Sequence, residues 1–115
     1  MSTVIYHNPR CSKSRQTLEL LQQHQPDAQI VEYLNTPPSR ETLEAILRML
    51  DLEPRELMRK NETEYKELGL ARAELGREEL IEAMLAHPRL IERPIVVHGD
   101  KAALGRPPEN VLEIL

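Results

Sequence analysis

Hydrophobic and polar positions change their spacing along the chain in a way that separates short strands from amphipathic helices. Apolar runs of strand length lie at about 3–6 and 29–34. Between them, Leu18 and Leu21 give an apolar face to a stretch of about 12–24, which predicts a helix. The pattern therefore predicts a βαβ unit with parallel strands and a right-handed crossover.

The middle of the chain has helical spacing throughout. Ser39 is a good N-cap, and a helix is predicted from there to about Leu50. Gly69 and the His87-Pro88 pair are predicted terminators of later helices. This part of the chain is predicted to be a helical insertion at about 39–90, with its later helical segments at about 55–59, 63–68 and 76–87.

The last part of the chain returns to strand spacing. Arg93–Val97 is a predicted strand, Gly99-Asp100 a hairpin turn, and residues 102–104 a strand antiparallel to the first. Pro107 and Pro108 then open a helix that runs to Leu115. The chain is predicted to be one α/β domain, 1–115, whose four-stranded mixed sheet combines a βαβ half and a ββα half.

Composition limits the chemistry that the chain can perform. The 115 residues carry a net charge of -4, which gives no default expectation of a nucleic-acid partner. The single cysteine excludes an intramolecular disulfide, a CxxC pair and a four-thiolate zinc site within one chain. The sequence has no apolar run of about 18 residues. We therefore expect a cytoplasmic protein with a reduced thiol and no membrane partner.

Cys11 is the strongest candidate for chemistry because it lies at a predicted strand-to-helix junction. The first turn of a helix offers unpaired N–H groups and the positive end of the dipole, and both favour a thiolate and a bound oxyanion. His7, Arg10, Lys13 and Arg15 add potential positive charge, which should outweigh the roughly 0.3–2 kcal/mol of the dipole. The alternative, a structural thiol that fills space, fits this polar junction less well.

Other residues near Cys11 have more than one interpretation. His7 either tunes the thiolate, by its charge or by a hydrogen bond, or is a strand-end histidine bonded to backbone. Asn8 and Ser14 are candidate donors that shape the loop, and Ser14 could also bind the thiolate or the anion. The remaining histidines have no metal-ligand spacing, so no metal site is expected.

The positions of three arginines are weak signals of a functional role. Arg59 is placed at the end of a predicted short helix, and Arg93 and Arg106 each precede a proline. Most arginines are solvated, and an Arg-Pro pair often marks only a boundary. Arg48 and Arg89 are interpreted as solvated residues.

The stretch His7-Asn8-Pro9-x-Cys11-x-x-Ser14-Arg15 resembles the active-site loop of the glutaredoxin-coupled arsenate reductases, which have a thioredoxin-like fold. The predicted element order matches that fold, with the helical section between its two halves. The likeness continues through essentially the whole chain, in the segments 33–40, 57–61, 65–70, 92–97 and 105–109.

The resemblance implies an enzyme in which Cys11 attacks arsenate. Arg59, Arg93 and Arg106 would contact the oxyanion, with glutathione as co-substrate, glutaredoxin as partner and no bound cofactor. Arginine suits this role because its rigid fork binds two oxyanion oxygens at once. Pro94 would lie opposite the cysteine with a cis bond that turns the Arg93 backbone toward Cys11. His7, Asn8, Ser14 and Arg15 would support the loop, and a monomer is expected.

Two alternatives remain open. One is a regulator or adaptor of the same fold that binds RNA polymerase, although such proteins usually have a Cys-x-x-Cys pair and this chain has Ser14 at the second position. The other is a related thiol reductase with a different substrate, including another small oxyanion. A tyrosine phosphatase is disfavoured because its loop needs Cys-x5-Arg, whereas Arg15 follows Cys11 as Cys-x3-Arg.

Overall fold

The computed structural model describes residues 2–115. These residues form two compact units. The first unit combines residues 2–36 with 93–115, and the second comprises residues 37–92. The second unit covers nearly the same residues as the predicted helical insertion. The prediction of a single domain stays a prediction.

The first unit is built on a four-stranded mixed sheet in the order β2-β1-β3-β4. β1 pairs with β2 in parallel and with β3 antiparallel, and β3 pairs with β4 antiparallel. The predicted α/β fold with its four-stranded mixed sheet is confirmed. The elements are β1 (Thr3–His7), α1 (Ser12–His24), β2 (Gln29–Glu32), β3 (Ile95–His98), β4 (Lys101–Leu104) and a 3-10 helix (Pro108–Ile114).

The register of the strands brings four chain segments to one edge of the sheet. His7, the last residue of β1, is level with Glu32 at the end of β2. Tyr6 pairs with Ile95 at the start of β3, and Ile95 pairs with Leu104 at the end of β4. The loop after β1, the turn after β2, the residues before β3 and those after β4 therefore share this edge.

Burial of apolar side chains holds α1 and the last 3-10 helix to the sheet. Ile5 and Val96 from the sheet, Leu21 from α1 and Val111 from the 3-10 helix are fully buried in one cluster. Each such side chain contributes about 1.5–3 kcal/mol when it leaves water, so this cluster stabilises the scaffold that carries the sheet edge.

The second unit is helical. Its elements are α2 (Arg40–Leu50), a 3-10 helix (Pro54–Leu57), α3 (Thr63–Glu67), α4 (Arg77–Ala86) and a second 3-10 helix (Pro88–Leu90). The Ser39 hydroxyl accepts a hydrogen bond from the Thr42 N–H, as the predicted N-cap requires. Gly69 has φ +64°, a left-handed conformation that favours glycine at a helix end. None of the helices in residues 2–115 is long and apolar enough to cross a membrane.

Several elements differ from the sequence prediction; β3, for example, is Ile95–His98 and not Arg93–Val97. The chain turns after Glu32 because the Asn35 and Thr36 N–H groups both donate to its carbonyl, so β2 does not reach Leu34. The predicted helix at 55–59 ends earlier, since Met58 is extended and forms a β-bridge with Ile91. The last helix is a 3-10 helix instead of an α-helix.

Candidate active site

Cys11 is the N-cap residue of α1, at the strand-to-helix junction that the sequence predicts. Its backbone N–H donates to the Asn8 carbonyl at 3.1 Å, and its carbonyl accepts from the Arg15 N–H at 3.0 Å. The side chain is partly exposed and makes no capping hydrogen bond. The first turn of α1 carries no acidic residue. The thiol is therefore accessible, at a helix start whose N–H groups favour an anion.

His7 and Ser14 form a buried side-chain pair beneath the Cys11 loop. The His7 Nδ1 atom lies 2.7 Å from the Ser14 Oγ atom, and the Asn8 N–H donates to the same oxygen at 3.0 Å. A hydroxyl has one proton to donate. The Ser14 oxygen accepts the hydrogen bond from the Asn8 N–H, and the Ser14 hydroxyl proton is donated to Nδ1 of a neutral His7. The proton of the neutral imidazole is then on Nε2.

Burial is the main cause that lowers the pKa of His7. The Arg15 charge lowers this pKa further, whereas the Glu32 carboxylate opposes both by raising it. The lowered pKa favours the neutral form of His7 at neutral pH, so His7 is more suited to tune Cys11 through hydrogen bonds than through a positive charge. The His7 side chain bonds the Ser14 side chain. The alternative interpretation, a strand-end histidine bonded to backbone, therefore does not describe His7.

The remaining loop residues hold the backbone before Cys11. Asn8 shapes the loop as an acceptor, since its Oδ1 atom receives the Arg10 N–H at 3.0 Å. The Arg15 Nη1 atom donates to the Pro9 carbonyl at 2.9 Å. The Ser14 hydroxyl bonds His7 and Asn8 and is not directed to Cys11. Asn8, Ser14 and Arg15 thus stabilise the loop conformation.

Arg93 and Arg106 lie together at the same sheet edge. The Arg106 Nη1 atom donates to the Arg93 carbonyl at 3.1 Å. The Gly105 N–H donates to the Pro94 carbonyl at 2.9 Å, which ties the end of β4 to the start of β3. The Arg93-Pro94 bond is cis, as the resemblance implies, and the bond between Arg106 and the next proline is also cis.

Gly105 has no room for a side chain. A Cβ atom there would lie 2.5 Å from Thr17 Oγ1 and 2.8 Å from Pro94 Cγ. Thr17 is fully buried on α1, and its hydroxyl contacts both the Lys13 and Gly105 carbonyls. The close approach of α1, Pro94 and Gly105 fixes the backbone on which Arg106 stands.

Arg59 belongs to the second unit and is held by two carboxylates. Its Nε atom lies 3.1 Å from Glu62 Oε1, and its Nη1 atom lies 3.2 Å from Glu92 Oε1. Its N–H donates to the Leu90 carbonyl at 2.7 Å. The side chains of Arg59 and Glu62 are only 21% and 17% exposed, so the guanidinium has a defined orientation. Its approach to Cys11 stays a prediction.

Arg89 is solvated, as the sequence suggests, and it also forms an ion pair. Its side chain is 62% exposed, but its Nη2 atom lies 3.2 Å from Glu62 Oε2. Arg89 thus shares Glu62 with Arg59. Arg48 is exposed and has no ion pair in the described part of the chain, which confirms its interpretation as a solvated residue.

Sequence reasoning did not select the residues that support the arginines. These are Thr17, Gly105, Glu62 and Glu92, none of which has a distinctive spacing. Gly105 directly precedes Arg106, and a glycine next to a strand can indicate that another part of the backbone or a side chain packs closely against it. Residues 2–115 contain no group of three or more side chains from His, Cys, Asp and Glu that could hold a metal ion.

Comparisons with known proteins give one consistent family. The ArsC family model matches residues 6–114. The uncharacterized protein YfgD of Escherichia coli strain K12 is 54% identical over 96% of this chain and 94% of its own length. The arsenate reductase of Haemophilus influenzae is 48% identical over 100% of both chains. The structure of an arsenate reductase from Vibrio cholerae is 53% identical, with a TM-score of 0.96 over 100% of this chain and 98% of that one. The thioredoxin-like fold is thereby confirmed.

Proposed function

Because the chain belongs to the ArsC family, we propose that it reduces arsenate to arsenite through a covalent adduct on Cys11. The observation that carries the proposal is the position of the single cysteine. Cys11 is a partly exposed N-cap at the sheet edge to which the strand pairing also brings Arg93 and Arg106. A thiol and two guanidinium groups at one edge suit attack on a small oxyanion.

The first step forms a bond between Cys11 Sγ and arsenic. One arsenate oxygen takes up a proton and leaves as water, and arsenic remains As(V). Arsenate carries roughly 1.5–2 negative charges near neutral pH by analogy with phosphate, so it repels a thiolate. Arg93 and Arg106, together with Arg59, would offset that repulsion and hold the oxygens.

The later steps need two further thiols, because the sequence has one cysteine and the reduction takes two electrons. Glutathione adds to the arsenic of the adduct, and a second oxygen leaves as water. Glutaredoxin then attacks the glutathione sulfur and forms a mixed disulfide, while the electron pair of the sulfur–arsenic bond reduces As(V) to As(III). Water releases arsenite from Cys11 and restores the thiol. Glutathione and glutaredoxin are thus the co-substrate and partner.

An assay with arsenate, glutathione, glutaredoxin, glutathione reductase and NADPH tests the proposal. The wild-type protein should oxidise NADPH in an arsenate-dependent way. Cys11→Ser should remove this activity while its circular dichroism and melting temperature stay close to wild type. Arsenate or sulfate should also protect Cys11 from alkylation by iodoacetamide.

Three results would count against this function. Retention of most activity in Cys11→Ser would exclude the cysteine as nucleophile. Absence of arsenate-dependent turnover in the wild-type protein would leave a reductase for another substrate or a binding protein as the better interpretation. Capture of purified RNA polymerase by both wild type and Cys11→Ser would favour the regulator.

The same proposal includes a monomer in the cytoplasm, without a nucleic-acid or membrane partner. A reducing compartment keeps the nucleophile as a thiol and supplies glutathione. Light scattering coupled to size-exclusion chromatography tests the monomer, and a mass near twice 13.3 kDa would contradict it.

A further inference from the structure

A cavity of about 320 Å³ lies beside the loop that precedes Cys11. Its wall is formed by residues 7–10 on one side and by Glu32, Leu34 and Asn35 on the other. The volume falls at the lower end of the range for small-molecule sites, roughly 300–1,000 Å³. The cavity is therefore large enough for part of a small peptide next to the proposed nucleophile.

The cavity has one charge of each sign. The Arg10 side chain is exposed and makes no ion pair with a described residue. The Glu32 carboxylate has a single long contact, from Asn35 Nδ2 at 3.4 Å. Asn8 uses its Oδ1 atom for the Arg10 N–H, which leaves its amide nitrogen available. A carboxylate, a guanidinium and two carboxamides match the α-amino and α-carboxylate groups of an amino acid.

The cavity and the arginine pair lie on opposite sides of β1. The sheet order β2-β1-β3-β4 places Glu32, at the end of β2, on one side of the Cys11 loop. Arg93 and Arg106, before β3 and after β4, lie on the other side. A second thiol that approaches from the cavity would reach an adduct on Cys11 without displacing the arginines.

We propose that this cavity binds the γ-glutamyl end of glutathione, with its α-amino group at Glu32 and its α-carboxylate at Arg10. The inference rests on the proposed function, because it identifies the subsite of the attacking thiol. Binding there orients the glutathione sulfur toward arsenic. The sulfur loses its proton to the departing oxygen, so a sulfur–arsenic bond forms, an arsenic–oxygen bond breaks and water leaves.

Direct binding tests the subsite separately from turnover. S-methylglutathione, which cannot react, should shift the backbone NMR signals of Asn8, Glu32 and Asn35 in the wild-type protein. Glu32→Gln should raise its dissociation constant about 1.5–5-fold, as expected for the loss of one exposed ion pair. Glu19→Gln is the matched control, because Glu19 lines another cavity of about 310 Å³, next to Pro108. That control should bind as the wild type does.

A ligand lacking the α-amino group makes the test specific. S-methylated glutaryl-cysteinyl-glycine should bind the wild type as weakly as S-methylglutathione binds Glu32→Gln, and the two losses should not add. In turnover, Glu32→Gln should raise KM for glutathione and leave KM for arsenate unchanged. Arg10→Gln should weaken binding of S-methylglutathione by a similar factor.

The two proposals fail in different ways. If S-methylglutathione shifts no signal near the cavity, or if Glu32→Gln and Glu19→Gln bind it equally, the subsite is wrong even when arsenate is reduced. If the wild-type protein reduces no arsenate but binds S-methylglutathione at Glu32, the proposed substrate is wrong and the subsite stands.

Discussion

The Arg106 guanidinium donates from Nη1 to the Arg93 carbonyl over 3.1 Å, so these two residues form one structural group. If both hold the anion, replacing either one by Lys keeps the charge but loses the two-pronged hydrogen bond. We expect kcat/KM for arsenate to fall by about 10–150-fold, which corresponds to roughly 1.5–3 kcal/mol per charged hydrogen bond. Arg93→Lys should be the more sensitive of the two.

Arg48→Lys is the control for the arginine pair and should change kcat/KM by less than about twofold. The double variant of Arg93 and Arg106 should lose less activity than the two single losses predict, because the residues share one ligand. Small and equal effects at all three positions would show that the anion is held by other groups.

Arg59 depends on Glu62 and Glu92 for its orientation. Glu62→Ala removes the acceptor of Arg59 Nε, so we expect KM for arsenate to rise by several-fold. Glu62→Gln keeps an oxygen acceptor and should recover part of the loss. Glu67→Gln, at an exposed position of α3, should have no effect. Steady-state kinetics would contradict the role of Glu62 if the Ala and Gln variants had identical, unchanged KM values.

His7 should make the protein less stable as the pH falls. Burial lowers the His7 pKa in the folded state, whereas an unfolded histidine titrates near 6.5. Below about pH 6.5 the unfolded chain takes up a proton that the folded protein does not, so the free energy of unfolding decreases toward lower pH. Urea unfolding at pH 7.5 and 5.5 measures this difference, and His7→Gln should reduce it.

His24→Gln removes an exposed histidine of α1 and is the control for the pH experiment. It should leave the difference in unfolding free energy closer to the wild-type value than His7→Gln does. Nitrogen chemical shifts of the imidazole should also show the proton of neutral His7 on Nε2. A protonated His7 at pH 7.5 would contradict the hydrogen-bond arrangement with Ser14.

Gly105→Ala should destabilise the first unit and weaken anion binding. The new Cβ atom would meet Thr17 Oγ1 at 2.5 Å and the rigid Pro94 ring at 2.8 Å. Overpacking of this kind costs about 1–3 kcal/mol, measurable by urea unfolding. Adding Thr17→Ala removes two of the three nearest atoms and should recover part of the stability.

Gly76→Ala is the matched control for Gly105, because its Cβ atom would make an ordinary contact of 3.6 Å with Glu79 Oε1. We expect a smaller loss of stability there. Equal losses at both glycines would mean that the close packing of Gly105 does not decide the effect.

The sequence by itself predicted the order of the elements and the candidate nucleophile, Cys11. Alternating and helical spacings are local properties, which is why α1 begins at Ser12 and ends at His24 as predicted. The position of Cys11 between an apolar strand and that helix followed from the same pattern. The single cysteine also excludes an intramolecular disulfide, whatever the fold of the chain.

Only the tertiary structure decided the contacts between residues that are distant in the chain. The lowered pKa of His7 depends on burial and on the charges of Glu32 and Arg15, which spacing does not reveal. The sequence also could not show that Glu62 holds Arg59 and Arg89 together, or that Gly105 packs against Thr17. Such contacts arise from strand register and side-chain packing, so they appear only when distant segments are brought to one place.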